Sequence, residues 1–406
     1  MRHSRRIAAR AAILAALIAI AGAQSARAQL TMQVGDGWSV TLAGNVNAFT
    51  VLTNGRVVVP GPIDGGRVPV ERVTRIRTGL LPAIAVIDIK GHEAAIDLGV
   101  HFGVGAQINN ATIHDNYDNG TQAGAQIDMR QVYLTIGGGW GQLLAGRELS
   151  LYQRENILND MTLFGTGATG GGLGAGGTTL GRSGFGYIYP NFNAQVTFST
   201  PPARSYQVSI GIFDPDFIHG DFSAEGAAPT ELPRLEMETT WHGTAAGVPS
   251  RVWVSGMYQK ADGTVHAAGT AAGVRLQLGP VAVVGSGYLA TGVGSTYALT
   301  SNLGTDAVFA PRRSHGYVVQ ATFSRRGSAW TWGASYGASS VDQTGYDIAS
   351  GRDDLLRRND AVIGTVLLQA TKSLRAAAEF THAQAKAHSG ATTRSDQVSI
   401  GLLLFF

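Results

Sequence analysis

The chain has no cysteine, which excludes disulfides, thiolate metal sites and lipid attachment through an N-terminal cysteine. Charge is scarce, at 15% of residues. Beyond residue 28 no apolar run approaches the ~20 residues that a membrane-spanning helix needs. Lysines are few, so there is no lysine cluster of the kind an anion or phosphate channel would want. The formal charge of +3 comes from the first 28 residues, which hold Arg2, Arg5, Arg6, Arg10 and Arg27 and no acid. Setting those five aside leaves 26 basic against 28 acidic side chains, a net charge of −2. No basic patch for nucleic acid survives that subtraction.

What the chain does have is 55 glycines, about twice the usual ~7% share, and a mean hydropathy close to neutral. A neutral average suits neither a helical membrane protein nor a disordered chain. A barrel reconciles it with membrane residence by alternating apolar and polar residues along each strand. The first segment reads as an address. Arg2, Arg5, Arg6 and Arg10 form a positive region, Ala11 to Ala23 is apolar throughout, and Ala26-Arg27-Ala28 is a small-x-small cleavage site. The expectation is a secretory signal peptide over 1–28, with Gln29 the mature N-terminus. Thirteen apolar residues are too few for a transmembrane anchor across a core of ~30 Å.

The mature chain, 29–406, alternates with period two, the mark of strands with one apolar and one polar face. In the last strand Val398, Ile400, Leu402, Leu404 and Phe406 share one face and Gln397 and Ser399 the other. Earlier, Trp330, Trp332, Ala334 and Tyr336 oppose Thr331, Gly333 and Ser335, and Phe192, Ala194, Val196 and Phe198 oppose Asn193, Gln195 and Thr197. Short turns are expected at Lys90-Gly91-His92, Gly137-Gly138-Gly139, Pro201-Pro202-Ala203, Gly247, Gly279-Pro280, Arg326-Gly327 and Ser373. Longer connections are expected at about 55–72, 110–125, 149–182, 214–234, 261–268, 293–315, 342–358 and 387–393. Seven turns and eight loops give sixteen strands with both termini on the short-turn side, the asymmetry of an outer-membrane β-barrel. A soluble sandwich or propeller would explain the alternation, but not this rhythm or the terminal Phe406. Around Gly79-Leu80-Leu81-Pro82 the strand at 73–89 is apolar on both faces, which calls for cover by another subunit or by an inward loop. Trp38, Tyr187, Tyr206, Trp241, Trp330 and Tyr336 are candidates for interfacial girdles.

Two stretches carry a family resemblance. Arg130-Gln131-Val132-Tyr133-Leu134 leads through a glycine turn to Gly141-Gln142-Leu143-Leu144-Ala145-Gly146-Arg147, and Tyr189-Pro190-Asn191-Phe192 follows later. These resemble the strands before, and the segment after, the constriction loop of the trimeric general porins of proteobacteria. The resemblance implies a homotrimer of sixteen-stranded barrels in the outer membrane, in contact with lipid and lipopolysaccharide. It also implies a C-terminal Phe406 read by the barrel-assembly machinery, and a third loop folded into the lumen. That loop is 149–182, carrying Glu155 and Asp160 with Glu148 where it begins; the wall candidates are Arg75, Arg77, Arg147 and Arg182. Arg130 shares parity with the apolar Val132 and Leu134, which sets it apart from them. Each arginine is also readable as a solvated lumen or rim residue.

No cofactor or metal is expected. The glycine-rich 165–177 lacks the Gly-Lys-Ser/Thr end of a phosphate loop, and His92, His101, His114 and His242 have no ligand spacing. Glu236 and Glu238 read as wall charges. The implied function is passive diffusion of small hydrophilic solutes. A substrate-preferring channel and a barrel enzyme or adhesin are the alternatives; the enzyme would need a serine and a histidine brought together across the wall.

Overall fold

The structure is a computed structural model that describes residues 30–106, 108, 127–168, 179–201, 205–221, 226–263, 265–300 and 303–406, with 127–129 as backbone only. The expected signal peptide, the whole of the expected loop at 110–125, and Pro202-Ala203 of one expected turn lie outside these residues.

Eighteen strand segments form one sheet. They are β1 (Leu30–Gly35), β2 (Trp38–Val59), β3 (Arg72–Arg77), β4 (Ala83–Glu93), β5 (Ile96–Ala106) and β6 (Ile127–Gly138). Then come β7 (Gly141–Leu149), β8 (Phe192–Ser199), β9 (Tyr206–Phe213), β10 (Arg234–Ala245), β11 (Val248–Lys260) and β12 (His266–Leu278). The last six are β13 (Val281–Thr291), β14 (Arg313–Phe323), β15 (Trp330–Val341), β16 (Leu356–Gln369), β17 (Leu374–Ala387) and β18 (Thr392–Phe405). Two pairs of segments are collinear along β2. On one edge β18 pairs with Asn45 to Val59 and β1 carries on from Leu42 to Trp38. On the other edge β3 pairs with Phe49 to Asn54 and β4 with Ser39 to Asn45. The wall is therefore a closed antiparallel barrel of sixteen staves.

One rim carries tight connections, such as 36–37, 94–95, 139–140 and 279–280, and both ends of the barrel. The other carries L1 (60–71), L3 (150–191), L4 (214–233), L5 (261–265), L6 (292–312), L7 (342–355) and L8 (388–391); the connection from β5 to β6, 107–126, lies outside the described residues except for 108. The short/long rhythm of the sequence is thus present in the fold. Two details differ. Gly91 is no turn residue: it pairs with Leu98, and the chain reverses at Ala94-Ala95. Its lack of a side chain makes room for Trp38, whose ring a Cβ would meet at 2.4 Å. Tyr187 is not in a girdle but is completely buried in L3.

The outward face is apolar, with Val46, Leu52, Ile210, Leu235, Val319, Val362 and Leu404 among its exposed side chains. Rings lie at both ends of this face. Trp140 stacks on Phe198 and Trp330 on Trp332 near the short-turn rim, while Tyr317 meets Tyr336 near the other. Those are the two aromatic belts of a membrane barrel. The inward face is polar, and L3 covers much of it.

Between β3 and β4 the ladder along β2 opens at 78–82, where Pro82 has no amide to donate. The segment turns inward and its backbone is satisfied there. Asn47 accepts from the Gly79 amide (2.8 Å) and donates to the Leu81 carbonyl (2.8 Å), and Asn45 donates to the Pro82 carbonyl (3.1 Å). The Leu80 amide donates to the Gly165 carbonyl of L3 (2.9 Å), and Leu80 packs with Ile157 and Tyr187 of the same loop. The cover expected for this apolar stretch is the inward loop.

The barrel closes at Phe406, which exchanges both backbone hydrogen bonds with Gly44 (2.9 and 3.1 Å). A Cβ at Gly44 would lie 2.3 Å from the Ile84 carbonyl oxygen and 2.8 Å from the Phe406 ring. Gly44→Val should therefore destabilise the barrel by about 1–3 kcal/mol. The loss would be read as a lower temperature for conversion of the folded to the unfolded band in detergent electrophoresis. An unchanged transition would refute the tight closure.

Candidate pore constriction

L3 leaves β7 at Ser150 and does not return to the wall until Phe192, so it runs past Arg182, where the sequence reading ended it. The reason is local. Between 182 and 191 the chain is held inside the lumen by Tyr187 and by the Gly186 amide, which donates to Ser339 Oγ (2.9 Å).

The loop is fixed by bonds to inward side chains of the wall. Gln153 stands at φ +69°, and its amide donates to Ser255 Oγ (3.1 Å). Just before it, the Tyr152 amide donates to Glu236 (2.9 Å), whose other oxygen meets Arg234 Nε at 2.9 Å. The short helix α1 (Arg154–Leu158) follows. Arg154 pairs with Glu238 (2.5 Å) and Trp253 Nε1 donates to Asn156 (2.7 Å). Gln320 accepts from the Met161 amide (3.1 Å) and donates to the Asn159 carbonyl (2.6 Å). One oxygen of Glu379 accepts from Thr166 N (2.5 Å), Thr166 Oγ1 (2.8 Å) and Gly167 N (2.9 Å). Sequence reasoning recognised Glu236 and Glu238 as wall charges, but had no signal that the loop would dock on them.

The expected acids are all engaged. Glu155 is 6% exposed and accepts a two-pronged bond from Arg251 of β11 (2.7 and 2.7 Å). Asp160, also 6% exposed, accepts from Tyr187 Oη (2.7 Å) and the Thr162 amide (2.9 Å). Glu148 accepts from Gln131 Nε2 (2.8 Å) and the Leu149 amide (2.7 Å). The arginines divide. Arg75 and Arg147 are exposed, whereas Arg77 is buried beside Arg75 and Tyr297. Arg182 is fully buried, bonded to Ser335 Oγ and the Ala361 carbonyl, so it roots the loop's exit arm and meets no lumen water. Arg130 reaches the lumen despite its parity, because a bulge pairs Gly103 with Gln131 and Val104 with Met129 and leaves Arg130 as the extra residue. Arg130 and Arg147 line one cavity of about 390 Å³ with Leu80, Tyr189, Asn193 and Tyr297. Arg130 and Arg251 are the site residues that the sequence reading set aside or passed over. Residues 169–178, outside the described residues, contain no charged side chain.

Above the constriction, at the long-loop rim, Arg312 of L6 is clasped by Asp221 of L4 and by both oxygens of Asp347 of L7 (2.8 and 2.7 Å). Arg352 bonds Asp221 (2.5 Å) and Asp64 of L1 (2.6 Å), so four loops share one network. Asp347 also caps the helix α2 (Gly345–Ala349) in a capping box with Thr344. Burial would raise the Asp347 pKa, but the Arg312 bond and the Thr344 amide outweigh it and hold it below the ordinary value. The network raises Arg312 and Arg352. A depressed carboxylate contributes stability that is complete above its unfolded value, ~3.9, and is lost as pH falls through the lower folded value. The raised arginines lose theirs only in strong alkali. L7 should therefore stay protected from hydrogen exchange down to about pH 4 and open only below it. An opening midpoint near pH 6 would contradict this. Arg312→Met should open L7 at neutral pH, at a cost of roughly 3–5 kcal/mol, because it strands the buried Asp347 carboxylate and leaves Asp221 with Arg352 alone.

Among the described residues no helix is long and apolar enough to cross a membrane, and no group of three or more acids and histidines is placed to hold a metal. A comparison with curated protein sequences gives no match. Solved structures do resemble the fold. The outer-membrane channel DcaP of Acinetobacter baumannii has a TM-score of 0.67 at 14% identity, over 92% of this chain and 99% of that one. The anion-selective porin from Comamonas acidovorans has a TM-score of 0.60 at 12% identity, over 91% and 100%. The trimer form of OmpT from Vibrio cholerae has 0.54 at 12% identity, over 91% and 100%. A family model described as Gram-negative porin matches residues 12–355. With that match across most of its length and a closed sixteen-stave barrel around an inward loop, the chain belongs to the Gram-negative porin family of the outer membrane.

Proposed function

We propose that this outer-membrane channel passes small hydrophilic solutes and ions by passive diffusion through a constriction that is net positive, with no catalytic step. One observation carries the reading: at the level of L3 Glu155 and Asp160 are buried in bonds, Glu148 is half-buried and bonded and Asp216 is paired with Arg234, while Arg75, Arg147 and, in part, Arg251 meet the lumen. Charges in a low-dielectric cleft act over several ångströms and bias which ions enter. Glu155, Asp160 and Glu148 shape the constriction by holding the loop and by screening Arg251 and its neighbours. Arg77 and Arg182 act from beneath the surface. The anion-selective relative shares the fold, which is compatible with this sign of field.

The unit is a homotrimer, a reading supported by the trimer form of the Vibrio cholerae relative. Phe406, fixed at the seam, is the contact for the barrel-assembly machinery. Lipid covers the apolar belt, and lipopolysaccharide meets the long-loop rim, where the paired Arg56 and Asp396 and the tyrosine-bonded Arg358 share the outward register of Leu52, Val398 and Val362.

Reversal potentials in planar bilayers under a potassium chloride gradient test the field. Wild type should favour chloride. Glu155→Gln with Asp160→Asn should raise the chloride preference roughly twofold, because Arg251 loses its carboxylate. An unchanged reversal potential would remove these acids from the constriction. Ester hydrolysis by protein that forms no conductance steps would favour an enzyme instead.

A further inference from the structure

The 390 Å³ cavity beside L3 has a composition that a purely aqueous passage does not require. Two guanidiniums, Arg130 and Arg147, line it together with the hydroxyl-bearing Tyr189 and Tyr297 and the amides Asn191 and Asn193. Leu80, Leu180 and Phe192 supply apolar surface in the same wall. Concave sites of this size, where convergent polar groups stand beside apolar surface, can hold a small molecule in one orientation.

The polar groups are held in place. Tyr189 bridges to L6 through its amide, which donates to the Thr296 carbonyl (2.8 Å), and through its own carbonyl, which accepts from Ala298 N (3.1 Å). Its ring meets Tyr297 edge to face at 5.8 Å. Arg130 donates to Tyr189 Oη (3.3 Å) and lies over the Phe192 ring at 5.6 Å. Asn193 is fixed by its bond to Ser150 Oγ (2.6 Å), and Asn191 by its bond to the Ala298 carbonyl (3.1 Å). The bulge at Arg130 and the φ of +135° at Gly146, one residue before Arg147, are the backbone departures that accompany the two guanidiniums.

Resting on the porin reading above, we infer that this cavity is a binding station for small monocarboxylates with a planar apolar body. The carboxylate would lie between Arg130 and Arg147, whose planar forks suit it better than lysine would. The body would lie against Phe192, Leu80 and Leu180. Asp216 also lines the cavity and is tied to Arg234 (3.4 Å). Its charge disfavours a second carboxylate on the ligand, which sets the class at monoanions.

Benzoate is the probe, with acetate as the control that lacks the body. In planar bilayers benzoate should interrupt the single-channel current for longer than acetate at equal concentration. Titration calorimetry of the detergent-solubilised barrel should show benzoate binding without reference to conduction. Arg130→Gln with Arg147→Gln should weaken binding about ten-fold and shorten the interruptions in proportion, and lysine at both positions should restore part of the affinity. Folding of each variant is checked by its heat-modifiable mobility. Benzoate that behaves as acetate does, or equal affinity in the folded double variant, would overturn the inference and leave the channel intact. Benzoate binding in a protein that never conducts would instead overturn the channel and leave the site standing.

Discussion

A sheet that crosses lipid cannot keep a free edge, because an unpaired amide or carbonyl in hydrocarbon costs several kcal/mol. Everything else in this chain follows from meeting that condition. Phe406 and Gly44 exchange hydrogen bonds where the last strand ends, and the first segment takes over the same edge below them. The interruption of the ladder along β2, at 78–82, is on terms that obey the same rule. The interruption faces inward, where Asn45, Asn47 and the Gly165 carbonyl replace the missing ladder. An opening toward lipid would have had no such partners.

The inward face meets the complementary problem. Glu236, Glu238 and Glu379 are carboxylates removed from bulk water, and a buried charge is tolerable only when it is paired or hydrogen-bonded. Amides and side chains of L3 supply those partners. Loop and wall thus solve each other's desolvation: the loop's backbone gains acceptors and the wall's acids gain donors. The route of L3 across β10, β11, β14 and β17 is accordingly dictated by where the wall places its polar residues, and the lumen's shape follows from that route.

Strands, turns and closure were legible because period two reports one physical fact, which side of the wall is wet. Val398 and Leu402 against Gln397 and Ser399 needs no tertiary knowledge. The site was legible only in part. That L3 would fold inward was implied by the family resemblance, with its length calling for a functional explanation, but nothing local marks Arg251 as the partner of Glu155, 96 residues away. Tyr187 carries the same ring as a girdle tyrosine, and only its hydrogen bond to Asp160 tells it apart. The parity of Arg130 was read correctly, then inverted by a bulge that leaves no trace in residue types. The rim network is more remote still, joining Arg352 to Asp64 across 288 residues.

Arginine appears in two physical settings here, and burial decides what it does in each. Arg312, Arg182 and Arg234 are almost fully enclosed, so ions in solution scarcely screen their bonds, and they hold loops to one another and to the wall. Arg75 and Arg147 stand at the water surface, where the same charge gives little stability to the fold but acts on whatever passes. Rigidity and, in the proposed function, selectivity are therefore assigned to chemically identical groups at different depths. The positive sign proposed for the passage rests on this division: Glu155 and Asp160 are taken up by the structural task and the exposed guanidiniums are not.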